Sequence, residues 1–368
     1  MININTLVIH PYLKKSKDNK ELLLREAVSL VKAIDLKCIY SASVGLESVN
    51  SKTFLNSGYV SLLKNKVYVL NATLIFINTN LSPVQQRNLE KIINCKIIDR
   101  TGLILEIFGS RAKSNEGKLS VSLASLNFQK SRLVRSWTHL ERQRGGAGFM
   151  GGPGEKQIES DKRQLTEKIN RLKKKIIKIN KIRDIQRYRR IKNKIPVISL
   201  VGYTNSGKST LFNLITKSKV LSKDMLFASL DSTIRNGYLN GFNFLFIDTV
   251  GFIRELPTTL IDAFKSTLDE IINSDLILHV RDISDSQYLA HKFEVLKILS
   301  EIGINKDDER IIEVINKIDL IENEKNIHNL YDRKSVMISA KEKKGLDLLK
   351  KKILNSIISK NNNDKLLE

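Results

Sequence analysis

Between residues 201 and 210 the chain reads Val201-Gly202-Tyr203-Thr204-Asn205-Ser206-Gly207-Lys208-Ser209-Thr210. Few folds accept a G-x-x-x-x-G-K-[ST] stretch, because it needs a strand before it and a helix behind it. The neighbouring residues supply both. Pro196-Val197-Ile198-Ser199-Leu200-Val201 is a β-branched run suited to a buried parallel strand, and Leu211-Phe212-Asn213-Leu214-Ile215 continues with helical spacing. Gly202 and Gly207 let the backbone curl so that successive N–H groups converge on a polyphosphate, and the helix N-terminus adds its positive dipole end. Lys208 is expected to reach the β and γ phosphates, and Ser209 to place its hydroxyl on Mg²⁺.

Three further elements follow at intervals that suit one α/β nucleotide-binding domain. Phe244-Leu245-Phe246-Ile247-Asp248-Thr249-Val250-Gly251 is an apolar strand ending in Asp-x-x-Gly. There Asp248 can hold Mg²⁺, directly or through water, and the Gly251 N–H can sense the γ phosphate. Ile311 to Ile315 leads into Asn316-Lys317-Ile318-Asp319, where the Asp319 carboxylate can accept from guanine N1–H and the 2-amino group. Adenine lacks that donor pair and would leave the carboxylate unpaired. Ser339-Ala340-Lys341 follows Val336-Met337-Ile338 and is expected to supply a backbone amide at guanine O6. The ordered set predicts a P-loop domain with a mainly parallel sheet that binds GTP and GDP and hydrolyses GTP. Lys208, Asp248 and Gly251 are its candidate catalytic residues.

The front of the chain differs in charge. Residues 1–196 carry 38 basic against 15 acidic side chains, residues 197–360 carry 23 against 22, and the last eight carry 1 against 2. The whole net charge of +23 thus lies ahead of the phosphate loop. Such a front suits a polyanion, and RNA is the expected partner. Short apolar runs at 6–9, 36–40, 67–70, 73–77 and 96–98, with a helix-spaced stretch over 21–34, predict a small α/β domain over 1–115. A helical arm is expected over 116–195. Within it, Gly145 to Gly154 holds six glycines in ten positions, preceded by Arg132, Arg135, Arg142 and Arg144 with Trp137 and His139 among them. Basic groups, planar rings and a pliable backbone suit insertion among splayed RNA bases. From Gln157 onward, Ile158, Leu165, Leu172 and Ile179 recur every seventh residue, with Ile169 and Ile176 between them, which predicts a helix packed along an a/d seam against 117–142. The GTPase domain is expected over 196–360 and a tail over 361–368.

Cys38 and Cys95, the two cysteines, lie far apart in apolar runs, so neither a disulfide framework nor a cysteine metal site is expected. No run of about 18 uncharged apolar residues occurs, so a membrane span is not expected. A reducing, cytoplasmic location follows, with peripheral membrane association as the alternative.

The motifs together resemble the HflX family, of the Obg–HflX class of translation-associated GTPases. The likeness extends to Leu81-Ser82-Pro83-Val84-Gln85-Gln86-Arg87-Asn88-Leu89-Glu90, Asp99-Arg100-Thr101-Gly102-Leu103-Ile104-Leu105 and Gly151-Gly152-Pro153-Gly154-Glu155-Lys156-Gln157-Ile158-Glu159. It implies a monomeric GTPase that binds the large ribosomal subunit and splits stalled or idle ribosomes. The alternatives are a ribosome-assembly or RNA-modification GTPase and a non-catalytic, GTP-gated RNA-binding module. The first switch reads Phe227-Ala228-Ser229-Leu230-Asp231-Ser232-Thr233, where the family has Phe-Ala-Thr-Leu-Asp-Pro-Thr. The Mg²⁺-ligand position therefore falls on Ser229, with Thr233 as the alternative. Phe54-Leu55-Asn56-Ser57-Gly58 also lacks the family's usual Gly-x-Gly-Lys. Asn205 matches an asparagine that binds K⁺ in related GTPases, making K⁺ a second candidate cofactor. Phe252 stands where Ras-like enzymes carry the glutamine that orients the attacking water, so slow intrinsic hydrolysis, stimulated by the ribosome, is expected.

Overall fold

The computed structural model describes residues 4–16, 19–141, 153–193, 195–218, 227, 233–239, 241–254, 265–321 and 335–367. The chain forms two compact units, residues 1–110 with 118–176 and residues 111–117 with 177–368. Among the described residues, no helix is long and apolar enough to cross a membrane.

The first unit alternates strand and helix: β1 (Asn5–Leu13), α1 (Lys20–Lys32), β2 (Lys37–Leu46), α2 (Ser57–Val69), β3 (Leu74–Ile77), α3 (Pro83–Ile93), β4 (Lys96–Asp99) and α4 (Arg100–Arg111). Local chemistry sets several boundaries. Asn19 caps α1 by accepting from the Glu21 and Leu22 amides. Ser82 and Gln85 form a reciprocal capping box on α3, with Pro83 in its first turn, and Asn94 ends the helix at φ 58°. The four strands are parallel in the order β2-β1-β3-β4. Leu7, Ile9, Leu63, Ile75, Ile77 and Leu89 are among the side chains of the core on this sheet.

Of residues 67–70, expected as one of the strand runs, the first three instead form the end of α2 and Leu70 is its C-cap. A four-residue apolar run fits a strand or the buried turn of a helix equally well. Here the preceding Tyr59 to Lys66 continues the helix, and Asn71, at φ 49°, follows its end.

The carboxyl ends of β1, β3 and β4 carry a cluster of buried polar residues. Asn78 Nδ2 lies 3.1 Å from His10 Nδ1, and Arg100 donates to Asn78 Oδ1 and Glu26 Oε1, both at 2.7 Å. Asp99 accepts from the Leu81 and Gly102 amides and from Arg132 at 2.5 Å. Burial pushes the Asp99 carboxyl above its usual range, and Arg132 pulls it back.

Two long helices follow, α5 (Asn115–Glu141) and α6 (Pro153–Lys192). The glycine stretch falls outside the described residues up to Gly152, and α6 starts at Pro153. On α6 the seam positions Leu165, Ile169, Leu172, Ile176 and Ile179 are partly or fully buried. The seven-residue step from Ile169 and Ile176 then lands on Arg183 and Arg190. Both are inward too: Arg183 pairs with Glu116 at 2.7 Å and Arg190 with Glu270 at 3.2 Å. The seam thus passes from apolar contact to ion pairing where α6 enters the second unit.

That unit contains β5 (Val197–Val201), α7 (Lys208–Thr216), β6 (Thr233–Leu239), β7 (Phe242–Asp248), α8 (Lys265–Ile272), β8 (Leu276–Asp282), α9 (Tyr288–Glu301), β9 (Ile311–Asn316), β10 (Ser335–Met337) and α10 (Leu346–Leu367). Helix α10 continues into the stretch expected as a tail. The sheet order is β10-β9-β8-β5-β7-β6, parallel throughout except for the antiparallel β6 edge. The register pairs Leu200 with Asp248, Val201 with His279, and Asp282 with Asn316. The motif-bearing strand ends therefore lie along one edge, where open parallel sheets bind ligands.

Candidate functional site

The loop from Gly202 to Gly207 connects β5 to α7, and Lys208 is the first residue of that helix. Gly207 has φ 91°, and a Cβ built there would fall 2.2 Å from Asn316 Nδ2, so the position accepts glycine alone. Asn316 is buried and joins two loops: its Nδ2 donates to Ser206 O at 2.9 Å, and its Oδ1 accepts from Ala340 N at 3.0 Å. Of the three residues expected to offer an amide to guanine O6, Ala340 thus spends its N–H within the protein. Lys317 sits at φ 66° and pairs with Asp282 at 2.6 Å.

Lys208 is buried, and its ammonium donates to Gly202 O at 3.0 Å and Tyr203 O at 2.7 Å. Burial lowers its pKa to about 8, against the opposing pull of Asp248. A polyphosphate at this point would restore the charge that burial disfavours. Ser209 donates to Asp248 Oδ2 at 2.6 Å, while Asp248 Oδ1 is buried with no partner among the described residues. Burial pushes the Asp248 carboxyl up, and the Ser209 hydrogen bond pulls it down. A hydroxyl and a carboxylate brought together, with one carboxylate oxygen unsatisfied, fit a hard divalent cation such as Mg²⁺.

Gly251 is pressed onto the phosphate loop. A Cβ there would meet Thr204 Cα at 2.9 Å and Lys208 Nζ at 3.2 Å. Thr249 donates to Leu200 O at 2.6 Å, tying the Asp-x-x-Gly segment to β5. The Phe252 ring is buried. At the far end, Asp319 Oδ1 is also buried without a partner among the described residues. The Ser339 hydroxyl beside Asp319 holds its carboxyl below the usual range, so the acceptor stays ionised.

Thr204 Oγ1 and Ser206 Oγ complete a set of unpaired buried oxygens along this edge. Behind them His279 is fully buried, and burial lowers its pKa to about 3, keeping the imidazole neutral. The structure therefore brings together the phosphate loop, Asp248 to Gly251, Asn316 to Asp319 and Ser339 to Lys341. Phe227 is buried at φ 55°, but Ala228, Ser229, Leu230 and Asp231 lie outside the described residues. Two features escaped the sequence reading: the Tyr203 ring, stacked on His291 at 3.7 Å, and the Arg190–Glu270 pair. The first carried no sequence signal. The second was encoded in the seam's seven-residue step, which continues into arginine.

Comparison with known proteins agrees along the chain. Family models described as "GTP-binding GTPase N-terminal", "GTP-binding GTPase Middle Region" and "50S ribosome-binding GTPase" match residues 21–109, 111–190 and 197–317. The GTPase HflX of Magnetococcus marinus is 46% identical over 310 residues, covering 84% of this chain and 71% of that protein. The GTPase HflX of Escherichia coli is 41% identical over 317 residues, covering 86% and 73%. The solved structure of SsGBP with GDP is 26% identical, with TM-score 0.51, covering 96% of this chain and 98% of that one. With its guanine and phosphate elements assembled on one sheet edge and its relatives matching most of its length, the chain belongs to the HflX family of GTPases.

Proposed function

We propose that this GTPase binds the large ribosomal subunit through its basic N-terminal half and uses its nucleotide state to split or rescue ribosomes. The charge division carries the proposal: the entire +23 lies in residues 1–196, while the GTPase portion is near neutral. Lys162, Arg163, Lys173, Lys174, Lys178 and Lys181 are exposed on α6, where they can neutralise phosphates. The match of residues 197–317 to a family of 50S ribosome-binding GTPases supports the same partner. The functional division we propose is residues 1–115 and 116–195 for RNA contact, 196–360 for nucleotide, with 361–368 as an appendage.

In the nucleotide site, Lys208 holds the β and γ oxygens, the Gly251 N–H reads the γ phosphate, and Asp319 reads guanine. Ser209 and Asp248 are the groups we assign to Mg²⁺, with Ser229 of the first switch as a further ligand. Bound there, the ion would neutralise charge developing on the transferred phosphoryl group. Asn205 is our candidate for K⁺. Because the Phe252 ring is buried and has no hydrogen-bonding atom, the chain supplies no side chain at that position to orient water. Intrinsic turnover is then slow, and the ribosome supplies the missing restraint. We assign the protein to the cytoplasm as a monomer.

The test is single-turnover GTP hydrolysis with and without large subunits, alongside sedimentation of ribosomes with GTP or a non-hydrolysable analogue. Hydrolysis should rise with large subunits, and subunit separation should require the N-terminal half. Binding should weaken by about 10³ to 10⁵ between 50 and 200 mM salt if six to ten phosphates are neutralised. Equal ribosome affinity for residues 197–368 alone would overturn the two-part assignment.

A further inference from the structure

The phosphate loop buries the side chain of Tyr203. Its backbone lines the nucleotide site, yet its ring leaves that site and reaches two other elements. It stacks on His291 of α9 with ring centroids 3.7 Å apart and an interplanar angle of 10°. Its Oη accepts the Arg254 N–H at 3.0 Å. Arg254 lies three residues beyond Gly251.

The backbones meet at the same place. Tyr203 and Phe252 form a parallel bridge in which Phe252 N donates to Gly202 O at 3.0 Å and Thr204 N donates to Phe252 O at 2.8 Å. Residues 251–254 are thereby fastened to the phosphate loop by two main-chain bonds and one phenol oxygen. The fastening holds Gly251 against Thr204 and beside the Lys208 ammonium.

We propose that Tyr203 is a positioning residue for GTP hydrolysis: its phenol oxygen, braced by the His291 stack, holds the Arg254 amide and so sets where the Gly251 N–H meets the γ phosphate. The chemistry favours this over a packing role. Phenylalanine would fill the same volume and stack on the same imidazole, whereas the Oη to Arg254 bond requires the tyrosine hydroxyl. Beside the stack, Asp285 Oδ2 lies 3.6 Å from His291 Nδ1. The inference concerns turnover at the nucleotide site and does not depend on ribosome binding.

Tyr203→Phe removes the acceptor and keeps the ring. Measured as GTP turnover without ribosomes, kcat should fall about 3- to 10-fold, the loss expected for one hydrogen bond. KM for GTP, GDP affinity and Tm should stay at parental values, because the loop backbone and Lys208 are untouched. Hydrogen exchange at the Arg254 amide should accelerate in the same variant. His291→Ala, which loosens the support but leaves the acceptor, should lower kcat by less than Tyr203→Phe. An unchanged kcat in Tyr203→Phe would overturn the proposal. So would a joint fall of kcat, GDP affinity and Tm, since that pattern marks a purely structural tyrosine.

Discussion

Two sheets in this molecule end in buried polar side chains, and they differ in whether the oxygens there are bonded within the protein. At the carboxyl ends of β1, β3 and β4, His10, Asn78, Arg100 and Glu26 bond one to the next, and Asp99 holds Arg132. At the corresponding edge of the GTPase sheet, Thr204 Oγ1, Ser206 Oγ, Asp248 Oδ1 and Asp319 Oδ1 have no partner among the described residues. An unsatisfied buried polar group costs about 1–3 kcal/mol, so a fold retains several together where a ligand or water meets them. A sheet with parallel strands thus yields a scaffold when the oxygens at its polar edge are bonded internally and a binding site when several of them are not. The contrast also explains why the N-terminal sheet offered no candidate chemistry in its sequence.

Arg100→Ala is the strongest way to break the comparison. Arg100 is 3% exposed and is the partner of both Glu26 and Asn78. Its loss leaves Glu26 largely buried without that cation, which should cost about 3–5 kcal/mol. Urea unfolding should show this in the N-terminal unit, with GDP affinity unaltered. A fall in GDP affinity of similar size would mean that the two polar edges are not separate in function.

Lys208→Ala probes the other edge, where loss should appear in chemistry and not in folding. Removing a preorganised charge from a phosphoryl-transfer site should slow GTP hydrolysis by about 10² to 10³. Tm should not fall, because the buried ammonium is held at a cost: its pKa is about 8 against an ordinary 10.5. Between those values the unfolded chain binds more protons than the folded one, so stability contributed through this group rises with pH across that window. Urea titrations of nucleotide-free protein at its two ends should show the rise in the parent and its absence in Lys208→Met. A rise of equal size in the variant would assign the effect to other groups.

How far the sequence foresaw these two edges depends on the range of the interactions involved. The phosphate loop, Asp248 to Gly251 and Asn316 to Asp319 were legible because glycines, β-branched runs and short spacings act within a few residues. Parallel pairing then followed from the alternation of strand and helix. Less legible were bonds whose partners lie far apart in the chain, such as Arg190 with Glu270, 80 residues away, or Asn316 with Ser206, 110 away. The end of α2 was misread because Val67 to Leu70 is too short for its periodicity to separate strand from helix. Ser339 to Lys341 is expected to offer one amide to guanine O6, and what spacing did not show is that the Ala340 amide bonds Asn316, which also bridges to the phosphate loop.

Asp319→Asn is the finest test of the unsatisfied edge, since it changes one acceptor without changing shape. The parent carboxylate presents two acceptor oxygens, of which Oδ1 is buried and unpaired among the described residues. Guanine offers N1–H and a 2-amino group to that pair, whereas an asparagine amide presents one acceptor and one donor group. One charge-assisted hydrogen bond is worth about 1.5–3 kcal/mol, so GDP affinity should drop by about 10- to 100-fold. Xanthosine diphosphate, which carries a carbonyl in place of the 2-amino group, should bind the variant better than the parent, because the new amide can donate to it. Competition between the two nucleotides reads both changes in one titration, and Tm should hold because Asp319 lies in a short 3₁₀ turn outside the core. If the variant kept the parental preference for GDP, the unpaired oxygen at Asp319 would not be the guanine acceptor, and an unsatisfied buried atom would lose its value as a marker of the site.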